Sequence, residues 1–239
     1  MFHGVETMVP GDLREFIKAL EKTQDIVHMK EEVDWDLEAG AISRLVSESS
    51  GPAILFEKIK DYDDRYRILG GPLATWRRVA IAMGLLPQTS VREIHRVYEE
   101  RVDQPIKPVL GVSAPCKQNI FLRENEIDLY RLPAPLCHEG DGGRYIGTWD
   151  LIVSKDPDSD WMNWGMYRFM IQSRKYLVGA AAPFSHLGTI LKKKYLPTRR
   201  SMPVAVVIGA DPLCSLAAAT GYRVGENEVD FAGGLRRGR

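Results

Sequence analysis

Residues 144–172 read RYIGTWDLIVSKDPDSDWMNWGMYRFMIQ, and this stretch decides the expected fold of the second half of the chain. Its first part alternates and is rich in β-forming residues, the polar turn DPDSD follows, and the apolar pattern then resumes. Two such runs on either side of a turn are typical of a β-hairpin with a somewhat long loop. The second arm carries one amide, Asn163, and one guanidinium, Arg168, among Trp, Met, Tyr and Phe residues.

The positions of Asn163 and Arg168 raise a question about this arm. They are five residues apart, so a regular strand would point them to opposite faces, and a bulge or twist is needed to bring both into one site. Arg168, if buried among the aromatic residues, needs an anionic partner. A structural carboxylate and a substrate carboxylate held bidentately both satisfy that need, and both stay open. Gly165 between them allows a ligand or another backbone to approach closely.

Working outward, the pattern predicts alternating helices and short strands, with N-caps at Asp12, Ser90 and Ser185. Helices are expected at 12–23, 37–49, 74–85, 90–102, 185–196, 213–220 and 225–238. Further strands are expected at 52–59, 66–71, 175–183 and 202–212, the last of them buried. The proline-rich stretch DQPIKPVLGVSAP (103–115) favours a boundary between two domains, 1–112 and 113–239.

Composition excludes several classes of protein. Lys plus Arg and Asp plus Glu both number 32 in 239 residues, so the formal net charge is zero, which argues against a nucleic-acid binder. No apolar run approaches the roughly 20 residues that span a bilayer, and the N-terminus has no signal-peptide pattern. The three cysteines are widely spaced, which favours reduced thiols. We therefore expect a cytoplasmic protein with no membrane partner.

Three polar residues of the second half form a candidate metal set. Asn163 offers an amide oxygen, His186 an imidazole and Glu228 a carboxylate, a combination that suits Mn²⁺ or Mg²⁺. Each also has a structural role open to it, because Asn163 can satisfy a neighbouring backbone, His186 can lie near a cap and Glu228 can stabilise a helix dipole. No local spacing forces the three together. No GxGxxG or GxxxxGK[ST] motif is present, so a Rossmann or P-loop site is not indicated.

Six segments occur in an order that resembles the UbiD family of prenylated-FMN-dependent (de)carboxylases: DLREFIKAL, DGGRYIGTWDLIV, NWGMYR, SH (185–186), VIGADP and ENEVDFAGGLRRG. The resemblance runs over essentially the whole chain. It implies an α+β fold in which an α/β N-terminal region (1–112) precedes a split β-barrel flavin-binding domain (113–239), which is incomplete here. The family's C-terminal dimerisation domain is expected to be absent from these 239 residues.

The resemblance also implies roles for individual residues. Asn163, His186 and Glu228 match the ligands of a divalent metal, usually Mn²⁺ (or Mg²⁺), that bridges to the flavin phosphate. Arg168 matches the arginine of a catalytic Glu–Arg–Glu network, and K⁺ is expected near the loop after residue 217. The remaining positions that match the cofactor site are Thr148, Gly165, Met166, Tyr167, Ser185, Ala218, Ala219, Thr220 and Gly221.

The implied activity is that of a carboxy-lyase: reversible, non-oxidative decarboxylation of an aromatic or α,β-unsaturated carboxylic acid, with CO₂ as the second partner. A flavin prenyltransferase would supply the prenylated FMN, and the full-length form would be a homo-oligomer. Family members are much longer, and their catalytic Glu pair lies beyond the region matched here. We therefore expect the 239-residue chain to be a truncated, proteolysed or split form that is inactive alone. The alternatives are an FMN-binding reductase-like protein and a non-catalytic subunit that needs a partner chain.

Overall fold

The structure is a computed structural model that describes residues 8–237. Residues 1–7, on which the expectation of no signal peptide depends, lie outside this range, as do residues 238–239. The mixed α+β class predicted from the sequence is confirmed. Within the described residues, no helix is long and apolar enough to cross a membrane.

The N-terminal half packs four helices with a three-stranded sheet of order β1-β2-β3, in which β1 and β2 are parallel and β2 and β3 antiparallel. The elements are α1 Leu13–Lys22, β1 Ile26–Val33, α2 Glu38–Glu48, β2 Ala53–Ile59, β3 Ile68–Gly70, α3 Trp76–Ala82 and α4 Val91–Val102. Sequence analysis did not predict β1, because its IVHMKEEV pattern ends in a charged run and buries only Val33 fully.

Two of the predicted helix caps in this half are present. Asp12 Oδ1 accepts a hydrogen bond from the Glu15 amide at 2.8 Å and begins α1. Ser90 Oγ accepts from the Glu93 amide at 3.3 Å and begins α4. The Glu93 carboxylate pairs with Arg96 at 2.6 Å. Among the described residues the Glu93 carboxylate therefore contacts a side chain of its own helix, whereas a full capping box would require it to accept from the Ser90 amide.

The second half contains a three-stranded antiparallel sheet of order β5-β4-β8 and a separate antiparallel pair, β6 with β7. Its strands are β4 Leu151–Lys155, β5 Met162–Gly165, β6 Phe169–Ile171, β7 Leu177–Gly179 and β8 Val204–Val207. Its helices are α5 His186–Ile190, which continues as a π-helix over Leu191–Tyr195 and a 3₁₀ turn over Leu196–Thr198, α6 Pro212–Ala219 and α7 Glu228–Arg236. Three short 3₁₀ turns, Pro115–Lys117, Glu124–Glu126 and Leu129–Arg131, precede them.

The predicted hairpin is confirmed, but its second arm is broken in the middle. β4 and β5 pair antiparallel. After a break at residues 166–168 the chain forms β6, which pairs with β7. β6 also stays beside the start of the first arm, because Tyr145 and Met170 form an antiparallel bridge and the Gly147 amide donates to the Phe169 carbonyl at 3.1 Å. The predicted second arm is thus two strands in two sheets.

The strand predicted within 202–212 is present as β8, but the prediction that it is buried was wrong. β8 pairs only with β4 and lies at the edge of its sheet. Val204 is 44% exposed and Val207 37% exposed. An apolar run alone does not distinguish a central strand from an edge strand, because the run does not reveal which element covers its faces.

One hydrophobic core joins the two halves of the chain. Its fully buried members include Phe16 and Leu20 of α1, together with Leu213 of α6 and Leu235 of α7. The two glycines of AGGLRR permit this close packing. A Cβ on Gly233 would lie 2.1 Å from the Ile106 carbonyl oxygen, a contact that no side chain tolerates. α7 therefore lies directly against the crossing segment that follows α4.

Candidate functional site

Asn163 lies in the middle of β5, where it is 1% exposed. It pairs with Ser154 of β4, and its Nδ2 donates to Ser154 Oγ at 3.2 Å. That is its one side-chain hydrogen bond among the described residues, so the amide oxygen accepts from no donor there. Asn163 Oδ1 is not among the fully buried side-chain atoms that lack a partner, so it is still accessible, and an amide oxygen is a ligand that a hard cation accepts.

Glu228 begins α7 and is 2% exposed. Its Oε2 accepts a hydrogen bond from the Trp164 amide at 2.9 Å. The preceding residue acts in the same way, since Asn227 Oδ1 accepts from the Met162 amide at 2.7 Å. Two side chains at the start of α7 therefore accept the hydrogen bonds that the outer edge of β5 would otherwise offer to a further strand.

His186 brings a third element to the same place. It is the first residue of α5, which is capped by Ser185 because Ser185 Oγ accepts from the Gly188 amide at 3.1 Å. His186 Nδ1 lies 3.5 Å from Glu228 Oε1. The imidazole also packs edge-on against Trp161, with ring centroids 5.2 Å apart. The predicted pair of His186 and Glu228 is thus in direct contact. Asn163 directly precedes Trp164, whose amide bonds Glu228.

The electrostatics of the cluster favour a bound cation. Burial raises the pKa of the Glu228 carboxyl, and the Trp164 amide and His186 act in the opposite direction. A cation beside the carboxylate would stabilise its charged form. The donor set of amide oxygen, imidazole and carboxylate suits a hard divalent ion. Within residues 8–237 no group of three or more His, Cys, Asp or Glu is placed to hold a metal, so the set depends on the amide of Asn163.

Gly165 and Tyr167 lie where the chain leaves the first sheet. A Cβ on Gly165 would lie 2.5 Å from Tyr167 Cε2, so the space beside this glycine is filled by the Tyr167 ring. The Tyr167 hydroxyl accepts from the Leu187 amide at 3.2 Å and so contacts α5. Sequence analysis expected a ligand or another backbone to approach this glycine closely; in the structure a side chain of the same segment makes the approach. Met166 lies half-buried between them.

Arg168 is exposed, and no hydrogen bond, ion pair or ring contact to it is found among the described residues. The structural carboxylate considered as its partner is therefore not found in this part of the chain. Thr148, also assigned to the active-site edge, is exposed. A guanidinium held in solvent on a short break between two sheets is accessible to an anion.

The loop expected after residue 217 begins two residues later, because Ala218 and Ala219 are the last residues of α6 and only Thr220 and Gly221 follow the helix. Ala218 is buried, Ala219 and Gly221 are exposed, and Thr220 ends the helix with its amide bonded to the Ala217 carbonyl at 3.1 Å. A Cβ on Gly221 would meet nothing within 4 Å, so the space beside this glycine is open.

Sequence reasoning missed Asp150, a 2% exposed carboxyl just before β4. Its Oδ2 has no hydrogen-bond partner, and burial raises its pKa to about 6. If Gly147 carried a Cβ, Asp150 Oδ2 and the Tyr167 carbonyl oxygen would each lie 3.0 Å from that atom. Asp150 is therefore a neighbour of the segment that carries Arg168. The signal in the sequence was an acid inside the apolar run TWDLIV.

Comparison with known proteins decides the family. A family model described as the 3-octaprenyl-4-hydroxybenzoate carboxy-lyase Rift-related domain matches residues 107–239, more than half of the chain. The model of the N-terminal domain of the same carboxy-lyase matches residues 17–97. The chain belongs to the UbiD family.

Curated relatives of this UbiD-family chain are decarboxylases. It is 34% identical to pyrrole-2-carboxylic acid decarboxylase of Pseudomonas aeruginosa, over 94% of this chain and 46% of that protein. It is 32% identical to ferulic acid decarboxylase 1 of Saccharomyces cerevisiae, over 94% of this chain and 47% of that protein. The chain thus spans about half the length of the curated relatives it matches.

Solved structures show the same likeness. The closed form of Sedimentibacter hydroxybenzoicus vanillic acid decarboxylase superimposes with a TM-score of 0.88 and 31% identity, covering 95% of this chain and 48% of that one. The UbiD-class enzyme HmfF from Pelotomaculum thermopropionicum, in complex with FMN, gives a TM-score of 0.83 and 28% identity, covering 94% and 48% of the two chains. An evolved dimeric form of HmfF was solved in complex with prenylated FMN.

Proposed function

We propose that the protein catalyses the reversible, non-oxidative decarboxylation of an aromatic or α,β-unsaturated carboxylic acid with prenylated FMN. The observation that carries the proposal is the contact of His186 and Glu228 beside the edge of β5, because it assembles ligands from three separate elements. The named activities of the relatives support the substrate class, since pyrrole-2-carboxylate and ferulate are both unsaturated acids. The HmfF complexes support a flavin cofactor.

Asn163, His186 and Glu228 would hold the divalent metal, Mn²⁺ or Mg²⁺. The fit rests on an amide oxygen that accepts from no donor among the described residues and on a buried carboxylate with one oxygen facing an imidazole. The metal would bind the flavin phosphate, as metal ions commonly do for phosphate groups. The prenylated flavin, when bound, supplies the electron sink for loss of CO₂, which side chains alone do not offer. We place K⁺ near the loop Ala218–Gly221.

Arg168 would meet the substrate carboxylate. Its exposed, unpaired guanidinium can form a bidentate pair with a carboxylate. Burial of that pair by other parts of the whole protein would strengthen it, because water competes less for buried charges. Arg168 would also orient the catalytic Glu residues, which are expected outside these 239 residues.

The 239-residue chain would be inactive alone, because the Glu pair that protonates the product is not matched within it. The proposed organisation is an α/β region over 1–112 and part of a split β-barrel flavin domain over 113–239. The whole protein would be a cytoplasmic homo-oligomer that receives its cofactor from a flavin prenyltransferase.

The proposal is tested by titrating the purified chain with FMN in the presence and absence of Mn²⁺, followed by flavin fluorescence. We expect FMN to bind, and to bind more tightly with Mn²⁺. Binding that ignores Mn²⁺ in both the wild type and Glu228→Gln would favour the reductase-like alternative. Glu228→Gln should lose the effect of Mn²⁺ while keeping the hydrogen bond from the Trp164 amide.

A further inference from the structure

Tyr98 of α4 reaches across to the loop between α6 and α7. Its hydroxyl lies 2.6 Å from Thr220 Oγ1 and 3.3 Å from the Tyr222 hydroxyl. Tyr98 is half-buried, and its ring packs against the hydrophobic core that both halves share. A helix of the N-terminal half therefore contacts the loop that begins with Thr220 and Gly221, two of the predicted cofactor positions.

The directions of these hydrogen bonds follow from the last acceptor of the series, the Leu216 carbonyl oxygen. Thr220 Oγ1 lies 2.9 Å from the Leu216 carbonyl oxygen, which only accepts, so Thr220 donates its proton there. Tyr98 must then donate to Thr220, and Tyr222 donates to Tyr98. Burial first, and the bond to Tyr98 second, raise the pKa of Tyr222, which agrees with a role as donor. Each hydroxyl proton in the row is used once.

The same row also reaches α7. The Tyr222 ring stacks on Phe231, with centroids 3.9 Å apart and planes 6° from parallel. Phe231 lies one turn after Glu228 on α7, and Thr220 ends α6. We call the three hydroxyl residues Tyr98, Thr220 and Tyr222, together with the Phe231 ring stacked on Tyr222, the hydroxyl cluster. It fixes the beginning and the end of the loop relative to the N-terminal half.

We infer that Tyr98 is a positioning residue for flavin binding, acting through Thr220 on the backbone of Ala218–Gly221. The inference rests on the proposed function, because it assumes that this loop contacts the flavin. The open space beside Gly221 leaves room for a ligand next to the loop, whereas Tyr98 holds the loop from the side of α4. Loss of the Tyr98 hydroxyl leaves Thr220 and Tyr222 without their shared partner and loosens the loop.

The test is Tyr98→Phe in the whole 239-residue chain, titrated with FMN in the presence of Mn²⁺. A typical net hydrogen bond corresponds to a change of about two- to tenfold, and we expect FMN to bind about fivefold more weakly. Tyr62→Phe is the control, because its hydroxyl contacts the Tyr130 and Leu132 carbonyls and the Arg144 guanidinium, all outside the loop. FMN affinity should be unchanged in this control.

A double-mutant cycle shows whether Tyr98 acts through Thr220. Thr220→Val removes the hydroxyl that Tyr98 bonds and keeps nearly the same side-chain shape. In that background Tyr98→Phe should have little further effect on FMN affinity. Hydrogen exchange without flavin gives an independent readout. Amides of residues 220–224 should exchange faster in Tyr98→Phe and at the wild-type rate in Tyr62→Phe.

Three results would overturn the inference. The first is wild-type FMN affinity and wild-type exchange in Tyr98→Phe. The second is equal weakening of FMN binding by Tyr98→Phe and Tyr62→Phe, which would indicate general destabilisation. The third is a wild-type chain that binds no FMN, which contradicts the proposed function itself; exchange in the loop then shows separately whether the hydroxyl cluster orders it.

Discussion

The Glu228 carboxylate accepts a hydrogen bond from the Trp164 amide at 2.9 Å and faces His186 Nδ1 at 3.5 Å with its other oxygen. One oxygen therefore holds α7 to the edge of β5, while the other faces His186, the residue with which Glu228 is proposed to share a metal. These two tasks can be separated by mutation, because a glutamine keeps an acceptor for the amide but loses the charge.

Glu228→Gln should keep the fold and lose the metal. Glu228→Ala should in addition leave the buried Trp164 amide unpaired, which costs about 1–3 kcal/mol of unfolding free energy. Urea denaturation and the bound Mn²⁺ content of the same samples separate the two effects. Equal metal content in Glu228→Gln and the wild type would remove Glu228 from the proposed ligand set.

Asp150 should make the protein less stable at high pH. Its pKa is raised to about 6 in the folded state, above the value of about 3.9 in an unfolded chain. The folded state thus binds the extra proton between these values, so the free energy of unfolding falls as pH rises from about 4 through 6. Asp150→Asn should remove this fall and be more stable by up to about 3 kcal/mol at pH 8.

Urea denaturation at pH 4.5 and pH 8 measures this effect. Asp160→Asn is the control, since it makes the same substitution at an exposed carboxylate in the turn between β4 and β5. A pH dependence of Asp150→Asn identical to that of the wild type would show that Asp150 ionises without penalty in the folded protein.

Gly165→Ala should destabilise the protein because of the Tyr167 ring. The added Cβ would lie 2.5 Å from Tyr167 Cε2, and overpacking of this kind costs about 1–3 kcal/mol. Tyr167→Ala should recover part of that loss in the double mutant. Gly221→Ala, where the added Cβ meets nothing within 4 Å, is the matched control and should change thermal stability little. Equal melting temperatures for Gly165→Ala and Gly221→Ala would contradict the packing described here.

Arg168→Ala should leave stability unchanged within about 0.5 kcal/mol, because the residue is exposed. In the full-length protein the same change should abolish decarboxylation while flavin stays bound. Turnover by CO₂ release and flavin content by absorbance are the two measurements. Retained turnover would show that Arg168 does not act on the substrate.

The sequence predicted the parts of this fold that depend on local patterns. The caps at Asp12 and Ser185 and the strand at 52–59 follow from short-range chemistry, and the structure confirms them. The exposure of β8 and the break after Gly165 depend on which elements lie alongside, which no local run of residues encodes. For this reason both were predicted wrongly.

The candidate site shows the same division. Resemblance to the family suggested His186 and Glu228, and the structure brings them into contact. The roles of Asn227 and Tyr98 were not foreseen, because each bonds a residue distant in sequence, at Met162 and Thr220 respectively. Such pairs become visible only when the chain is folded.

The most direct test of the central claim is native mass spectrometry of the chain produced together with a flavin prenyltransferase. The account predicts a mass that includes prenylated FMN and a divalent metal ion. It also predicts that His186→Ala lacks both, because the imidazole is a proposed metal ligand and the metal would hold the flavin phosphate. A wild-type chain that carries neither group, or a His186→Ala variant that retains both, would contradict the assignment of Asn163, His186 and Glu228 as the site that holds the cofactor.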